Sequence, residues 1–314
     1  MGQILIPFND LNCKNLEKII PLDLYNFKNN KSSYSFILNQ KGGIIDDIII
    51  SKIEYNNNYY FFIVYNASRK SVDEKLFLQL TEDPIILSKN VLLAIQGPLS
   101  SNILSSLNIN IKDINFMNIK TFNYMDNEII ISRTGYTGED GFEISLPNNI
   151  AKQFFDNTMK NNKIILCGLG CRDTLRIEAG LSLYGNELNE NITPVEANLA
   201  WALSKKRLTR GDFNGFEIMN EQIKKNNFYK KVGIISKGKS ILRSDMKIFD
   251  INKKNVGKIT SGGFSPSLNK SIGIAYIDNL FMNNISKVYC SIRDNLNEVL
   301  LTKLPFLNHN YRRF

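Results

Sequence analysis

Tyr34-Ser-Phe-Ile-Leu-Asn-Gln-Lys-Gly-Gly-Ile-Ile-Asp-Asp-Ile-Ile-Ile-Ser-Lys-Ile53 is the stretch on which the fold turns. Tyr34 to Leu38 is a short run rich in β-forming residues, and Asn39 to Gly43 is a turn signal. The strand-like run resumes at Ile44 and continues to Ile53, interrupted by Asp46 and Asp47 and, near its end, by Ser51 and Lys52. After the polar Asn56-Asn57-Asn58, a second apolar and aromatic run covers Tyr59 to Tyr65. The pattern predicts a meander of antiparallel strands. Side chains alternate across a strand, so the two aspartates are expected on opposite faces, one solvated at an edge and the other turned to a core or cleft. Burial raises a carboxyl's pKa unless a cation or donor compensates, which makes such a group a candidate general base or electrostatic stabiliser. A plain pair of strand-end aspartates fits the residues equally well, and they do not choose between Asp46 and Asp47.

Outward from this meander, Ser71 to Thr81 has helical spacing with Val72, Leu76, Phe77 and Leu80 on one face. Val91 to Ile95 is a predicted strand ending at Gln96-Gly97-Pro98, followed by a helix from Ser100 to Leu107. Glu128 to Arg133 and Phe142 to Leu146 form a predicted hairpin with the glycine-rich connection Thr134-Gly-Tyr-Thr-Gly-Glu-Asp-Gly141. Ile150 to Asn161 and Arg172 to Gly180 are predicted helices, the second opening after Gly168-Leu169-Gly170. The chain turns polar and basic at Lys205-Lys206-Arg207 and again at Lys224-Lys225-Asn226-Asn227. Beyond Lys231, short β-like runs alternate with turns, which predicts a small all-β barrel or sandwich. The expected domains are 1–90, 91–205 and 226–314.

A chain of 314 residues with 43% hydrophobic content can bury more than one core. No apolar run approaches the roughly 20 residues of a membrane-crossing helix, and Met1-Gly2-Gln3-Ile4-Leu5-Ile6-Pro7 lacks the basic and apolar regions of a signal peptide. Cys13, Cys167, Cys171 and Cys290 do not form a disulfide framework, so a reducing, cytoplasmic setting is expected. The net charge of +9 favours anionic partners, although crowding with Lys, Asn and Ile accounts for much of it. The single histidine, His309, rules out a multi-histidine metal site and leaves only itself for a Ser-His-Asp or Cys-His mechanism. Carboxylates, Arg, Tyr and backbone groups must then carry any chemistry.

Gly233-x4-Gly238-Lys239-Ser240 matches the P-loop pattern, but Ile234 to Lys237 reads as strand and no amphipathic helix follows. Cys167 and Cys171 have too few companions for zinc and are expected to be buried, inert thiols. In the glycine-rich hairpin the glycines would let backbone approach a flat ligand, and Tyr136 offers a ring to stack and a hydroxyl to bond. Arg172 opens its helix where it can reach a carboxylate, and Arg176 and Glu178 are expected to pair on the helix surface. Trp201, in Asn198-Leu-Ala-Trp-Ala-Leu203, is expected in a core.

Several segments, in order along nearly the whole chain, resemble the aminomethyltransferases (T-proteins) of glycine cleavage. They are Tyr34 to Asp47, Ala94-Ile-Gln-Gly-Pro98, Arg133 to Ile144, Gly168 to Gly180, Leu183-Tyr-Gly-Asn186, Thr193-Pro-Val-Glu-Ala197 and Thr260 to Leu268. The resemblance implies an α+β, three-domain cloverleaf with antiparallel mixed α/β domains and a C-terminal β-barrel. It implies tetrahydrofolate in the central opening, no metal, and a lipoylated H-protein as partner, with neither nucleic acid nor membrane. The implied reaction moves a methylene group from the aminomethylated lipoyl arm to tetrahydrofolate and releases ammonia. By resemblance, Asp47 is the key carboxylate beside the folate nitrogen that takes the one-carbon unit, and Glu143 pairs with the pterin's N–H donors. Arg172 matches a folate-contacting arginine. Met1, Tyr34, Val64, Tyr136 and Trp201 match positions lining the folate pocket, and Tyr311 a further contact.

The chain departs from the family in two places. Relatives carry a longer segment, ending in His-Met, ahead of the strand equivalent to Ile4-Leu5-Ile6, and Met1 falls where that Met belongs. Continuation upstream or a shortened variant is therefore expected. At Ser51, relatives often carry an aromatic residue, so one pocket wall is expected to be looser. Three other readings compete: a demethylating one-carbon enzyme of the same fold, a non-enzymatic folate-binding iron–sulfur assembly factor and a P-loop module. The iron–sulfur type carries a Lys-Gly-Cys-Tyr-like motif, where this chain has Gly170-Cys171-Arg172-Asp173.

Overall fold

The computed structural model describes residues 1–225, 228–238, 240–282, 287–292 and 295–313. Among these the chain forms three antiparallel sheets. The first has the order β2-β3-β4-β1-β5, from β1 (Gly2–Pro7), β2 (Lys31–Leu38), β3 (Ile44–Tyr55), β4 (Asn58–Tyr65) and β5 (Ile85–Ile86). The second has the order β6-β9-β8-β7, from β6 (Asn90–Gln96), β7 (Ile119–Tyr124), β8 (Asn127–Ser132) and β9 (Gly141–Pro147). The third is a closed barrel in the order β10-β13-β12-β11-β14-β15. Its strands are β10 (Tyr229–Ser236), β11 (Lys247–Phe249), β12 (Asn255–Ser265), β13 (Lys270–Asp278), β14 (Val288–Ile292) and β15 (Asn295–Thr302). The mixed α+β architecture with a C-terminal barrel is thus present.

The β2–β4 meander forms as its pattern predicts. Phe36 lies opposite Asp47 across the β2–β3 pair, and Ile49 opposite Val64 across β3–β4. Alternation sends Ile48 and Ile50 into a core shared with Ile4, Ile6, Leu16, Phe61 and Phe77. The other face of β3 carries Asp47 and Ile49 toward a cavity. A second core joins Phe36 and Leu38 to Val195, Ala197, Phe213 and Met219. Leu5, Ile53 and Phe62 meet Ile119 and Ile130, which locks the first sheet to the second. Ile177 on the helix Leu169–Glu178 packs on Ile272 and Ile274 of the barrel. These contacts hold the three units around one opening.

Several expectations need correction. The helix Lys70–Leu80 turns Asp73 and Phe77 inward and leaves Val72 exposed. The helix predicted from Arg172 begins at Leu169. Arg176 and Glu178 are not a surface pair but are buried, each bonded to other partners. Cys167 and Cys171 are exposed, not buried, because Ile164 to Arg172 runs over the surface ahead of the buried turn of that helix. Strands β7 and β15 are additions: their runs, Ile-Lys-Thr-Phe-Asn-Tyr and Asn-Leu-Asn-Glu-Val-Leu-Leu-Thr, carry too few apolar residues to stand out. The P-loop pattern runs along β10, which pairs with β13 and β15, so its backbone amides are spent in the barrel. Lys239 of that pattern lies outside the described residues, as do Asn226 and Phe314 at the limits of the expected third domain.

Candidate active site

A cavity of about 860 Å³ opens where the three units meet, within the range of sites that enclose a small molecule. The first sheet contributes Met1, Tyr34, Asp47 and Val64. The β8–β9 hairpin contributes Tyr136 and Glu143, and the start of the 169–178 helix contributes Arg172. Trp201 comes from the short turn Ala200–Ala202, and Tyr311 from the C-terminal segment. Residues scattered over the sequence thus converge on one space.

Asp47 is held at both oxygens. The Tyr34 hydroxyl donates to Oδ2 at 3.0 Å, and the Asn66 side-chain amide donates to Oδ1 at 2.8 Å. Burial, and then the charge of Asp46, raise its pKa to about 7. Burial and the Asp47 carboxylate in turn push the Tyr34 hydroxyl well up. Asp46 is not solvated at an edge, as one of the pair was expected to be. It is fully buried and accepts the Asn66 backbone N–H at 2.9 Å and the Asn66 amide at 2.8 Å.

Glu143 accepts a bond from the Thr134 hydroxyl to Oε2 at 2.6 Å. The hairpin that carries it is braced by Arg133, buried and bonded to Asp140, to the Ile114 carbonyl at 2.7 Å and to Ser101 at 2.9 Å. Gly135 and Gly141 leave room for this bracing: a Cβ on Gly135 would stand 1.8 Å from Gln96 Oε1, and Gly135 also lines the cavity. Gln96 fills that space and donates to the Thr134 and Phe142 carbonyls, each at 3.2 Å.

Tyr136 donates its hydroxyl to the Ser182 carbonyl at 2.5 Å, and its ring lies under the Arg172 guanidinium, 4.6 Å from the centroid. The Arg172 side chain is exposed at the rim. Trp201 is not a core residue: it is 71% exposed and stacks on Tyr34 with centroids 5.9 Å apart. Tyr311 stacks on Phe116 at 3.9 Å. Ser51, where a looser wall was expected, is buried and bonded to Ser32 at 2.7 Å, and Ser32 lines the cavity.

Four participants carried no sequence signal. Asn66 follows an apolar strand and looks like a turn residue. Lys231 belongs to a basic run, yet it is buried in the cavity wall with Nζ 2.5 Å from the Ser182 hydroxyl, and desolvation lowers its pKa to about 8. Thr134 reads as part of a flexible hairpin. Glu187 reads as a solvated charge between two turns, but its buried carboxylate takes bonds from Arg176 at 2.8 Å, the Leu183 N–H at 2.9 Å and Ser261 at 2.6 Å.

Fold and cavity together define a class: a cloverleaf enzyme whose shielded carboxylate faces an aromatic-walled opening. Residues 10–207 match the GCVT N-terminal domain, and residues 230–308 match the glycine cleavage T-protein C-terminal barrel domain. The chain is 37% identical over 312 residues to the mitochondrial aminomethyltransferase of Pisum sativum, covering 94% of this chain and 74% of that one. It is 35% identical over 333 residues to that of Dictyostelium discoideum, covering 100% and 81%. The crystal structure of the glycine cleavage system aminomethyltransferase T from Bartonella henselae matches with a TM-score of 0.90 at 30% identity, over 99% of this chain and 85% of that one. The chain belongs to the glycine cleavage T-protein family and is an enzyme of the aminomethyltransferase type.

Proposed function

We propose that this enzyme takes the methylene carbon from the aminomethylated dihydrolipoyl arm of an H-protein and passes it to tetrahydrofolate. The observation that carries the reading is Asp47, clamped at both oxygens inside a cavity whose walls also hold several aromatic rings and a second carboxylate, Glu143. The carbon's bonds to sulfur and to the amino nitrogen break, and two bonds to folate nitrogens form. The two folate N–H protons go one to sulfur and one to the amino nitrogen, so the dihydrolipoyl thiol and ammonia leave and methylenetetrahydrofolate remains. The carbon is cationic in passage, and a fixed carboxylate in a water-poor site stabilises it. Glu143 suits the amino and ring N–H donors of a pterin, and Tyr34, Tyr136, Trp201 and Tyr311 offer faces to a flat acceptor. The net charge of +9 suits the glutamate tail of folate and an acidic carrier protein. Four free thiols fit a reducing compartment, and we place the enzyme in the cytoplasm. The chain's Gly170-Cys171-Arg172 differs from the motif of the non-enzymatic folate-binding relatives.

A carboxyl with a pKa near 7 is protonated below that pH and charged above it. If the charged form acts, kcat/KM is expected to climb with pH through neutrality and level off on the alkaline side. A flat profile between the ordinary carboxylate range and neutrality would contradict this role for Asp47.

Glu143→Ala is expected to weaken tetrahydrofolate binding about 10- to 100-fold, the loss of one or two charge-assisted hydrogen bonds. Trp201, the only tryptophan, stands at the rim, so its fluorescence reports occupancy directly. Saturable quenching by tetrahydrofolate, shifted to higher concentration in Glu143→Ala, is the expected result. Absence of a saturable change in the unaltered chain would remove the folate reading.

A further inference from the structure

Asn66 has one environment that the transfer reaction does not account for. Its side-chain nitrogen bridges two carboxylates, at 2.8 Å from Asp46 Oδ1 and 2.8 Å from Asp47 Oδ1. Its backbone N–H takes the second oxygen of Asp46. Behind Asp46 stands Asp73, on the helix Lys70–Leu80, fully buried, with neither carboxyl oxygen bonded to a donor among the described residues. Asp46 and Asp73 act on each other: burial and then Asp46 raise the pKa of Asp73, and Asp73 offsets part of the rise that burial gives Asp46. Two fully buried carboxylates that act on each other, one of them without a donor, are relieved by one proton between them.

We propose that Asn66 is a positioning residue for Asp47, held in place by an Asp46–Asp73 pair that shares one proton. This deepens the transfer reading above and rests on it. In this arrangement Asp73 is the neutral acid and donates to Asp46. Asp46 is the carboxylate and fixes which end of the Asn66 amide faces inward. The two hydrogens of the Asn66 nitrogen then go one to each aspartate of β3, and Tyr34 fixes the remaining oxygen of Asp47. Burial and the charge of Asp46 both push Asp73 up, in keeping with a retained proton.

Other charged and titratable groups around the cluster leave room for it. Arg69 lies nearest, but its guanidinium is bonded to Glu190 at 2.7 Å and stacked over Tyr184 at 5.1 Å, and its Nε finds no acceptor among the described residues. Tyr65 bonds to Glu74 at 2.8 Å. On the cavity side, the Asp47 charge acts on Tyr34, Tyr136 and Lys231. The charge of Asp46 also acts directly on Asp47, so Asp46 tunes Asp47 as well as placing it through Asn66.

Three variants of the whole chain separate this from a merely structural role. Asp73→Asn exchanges one neutral donor for another, so kcat and the acid limb of kcat/KM are expected to stay within a few-fold of the unaltered enzyme. Asp46→Asn removes the neighbouring charge and is expected to move that limb to lower pH. Asn66→Ala is expected to lower kcat while tetrahydrofolate affinity, read by Trp201 fluorescence, is unchanged. A limb that moves in Asp73→Asn but not in Asp46→Asn would overturn the proposal, as would an Asn66→Ala variant with normal kcat. Where a variant does not fold, aspartate-selective carbon-13 labelling of the unaltered, ligand-free chain decides. A carboxyl carbon of Asp73 with the shift of a protonated acid at neutral pH supports the pair, and an ionised one refutes it. That readout is independent of turnover. Loss of the Asp47 role with a protonated Asp73 would therefore fault the transfer reading and leave the pair standing.

Discussion

Asp47→Asn is expected to lower turnover about 100- to 1,000-fold, the usual effect of removing one preorganised electrostatic group from an enclosed site. Tetrahydrofolate affinity should change little. The asparagine keeps the size of the aspartate and can still accept the Tyr34 hydroxyl, which now reaches Asp47 Oδ2 at 3.0 Å. Uniform binding of the acceptor by Glu143 and the aromatic walls is untouched, so the loss should fall on kcat rather than KM. The amide removes the repulsion between Asp46 and Asp47 but also replaces one of the two accepting oxygens, so these effects oppose and stability should change little. Quenching of Trp201 fluorescence by tetrahydrofolate, measured beside single-turnover kinetics, checks both halves. Equal losses in binding and turnover would recast Asp47 as a binding residue only.

The largest effect on stability is expected from Arg176→Leu. Arg176 and Glu187 are both buried, with Nη1 2.8 Å from Oε2. Arg176 also reaches Asp173 at 2.8 Å and the Ser261 hydroxyl on β12 at 2.6 Å. Glu187 in turn accepts from Thr260 and Ser261 of the same strand. The network ties the helix that presents Arg172 to the barrel. Removing the guanidinium leaves a carboxylate buried without its cation, which costs about 3–5 kcal/mol. The denaturant midpoint should fall accordingly. Pairing Arg176→Leu with Glu187→Leu should recover part of the loss, because no stranded charge remains. A single variant as stable as the parent would mean that the hydroxyls alone satisfy Glu187.

The meander was legible because its β-forming content is strong: ten residues from Ile44 to Ile53 hold six isoleucines, which favour a buried or half-buried strand, and a glycine pair sets the turn. The barrel was legible from alternating runs and turns. The placement of charges was not. Arg176 and Glu178 have the spacing of a solvated helix pair, and only the packing of Ile177 on the barrel shows that this face is inward. Trp201 lies in an apolar run, yet its neighbours Ala200 and Ala202 take the interior positions and push the indole to the rim. Asn66 and Asp73 look like ordinary turn and helix polarity, because what makes them matter is Asp46, close in space but some twenty residues or more away in sequence. The candidate residues at the cavity were found through resemblance to a family, which compresses spatial information that periodicity does not contain.

One reaction tests the account most directly. The full chain is mixed with tetrahydrofolate and an H-protein carrying an aminomethylated dihydrolipoyl arm, and ammonia and methylenetetrahydrofolate are followed together. The account predicts that the two products form in equal amounts, that neither forms without tetrahydrofolate at a comparable rate, and that Asp47→Asn suppresses both. Ammonia and methylenetetrahydrofolate formed as fast by Asp47→Asn as by the parent, or formation of neither by the parent, would contradict it.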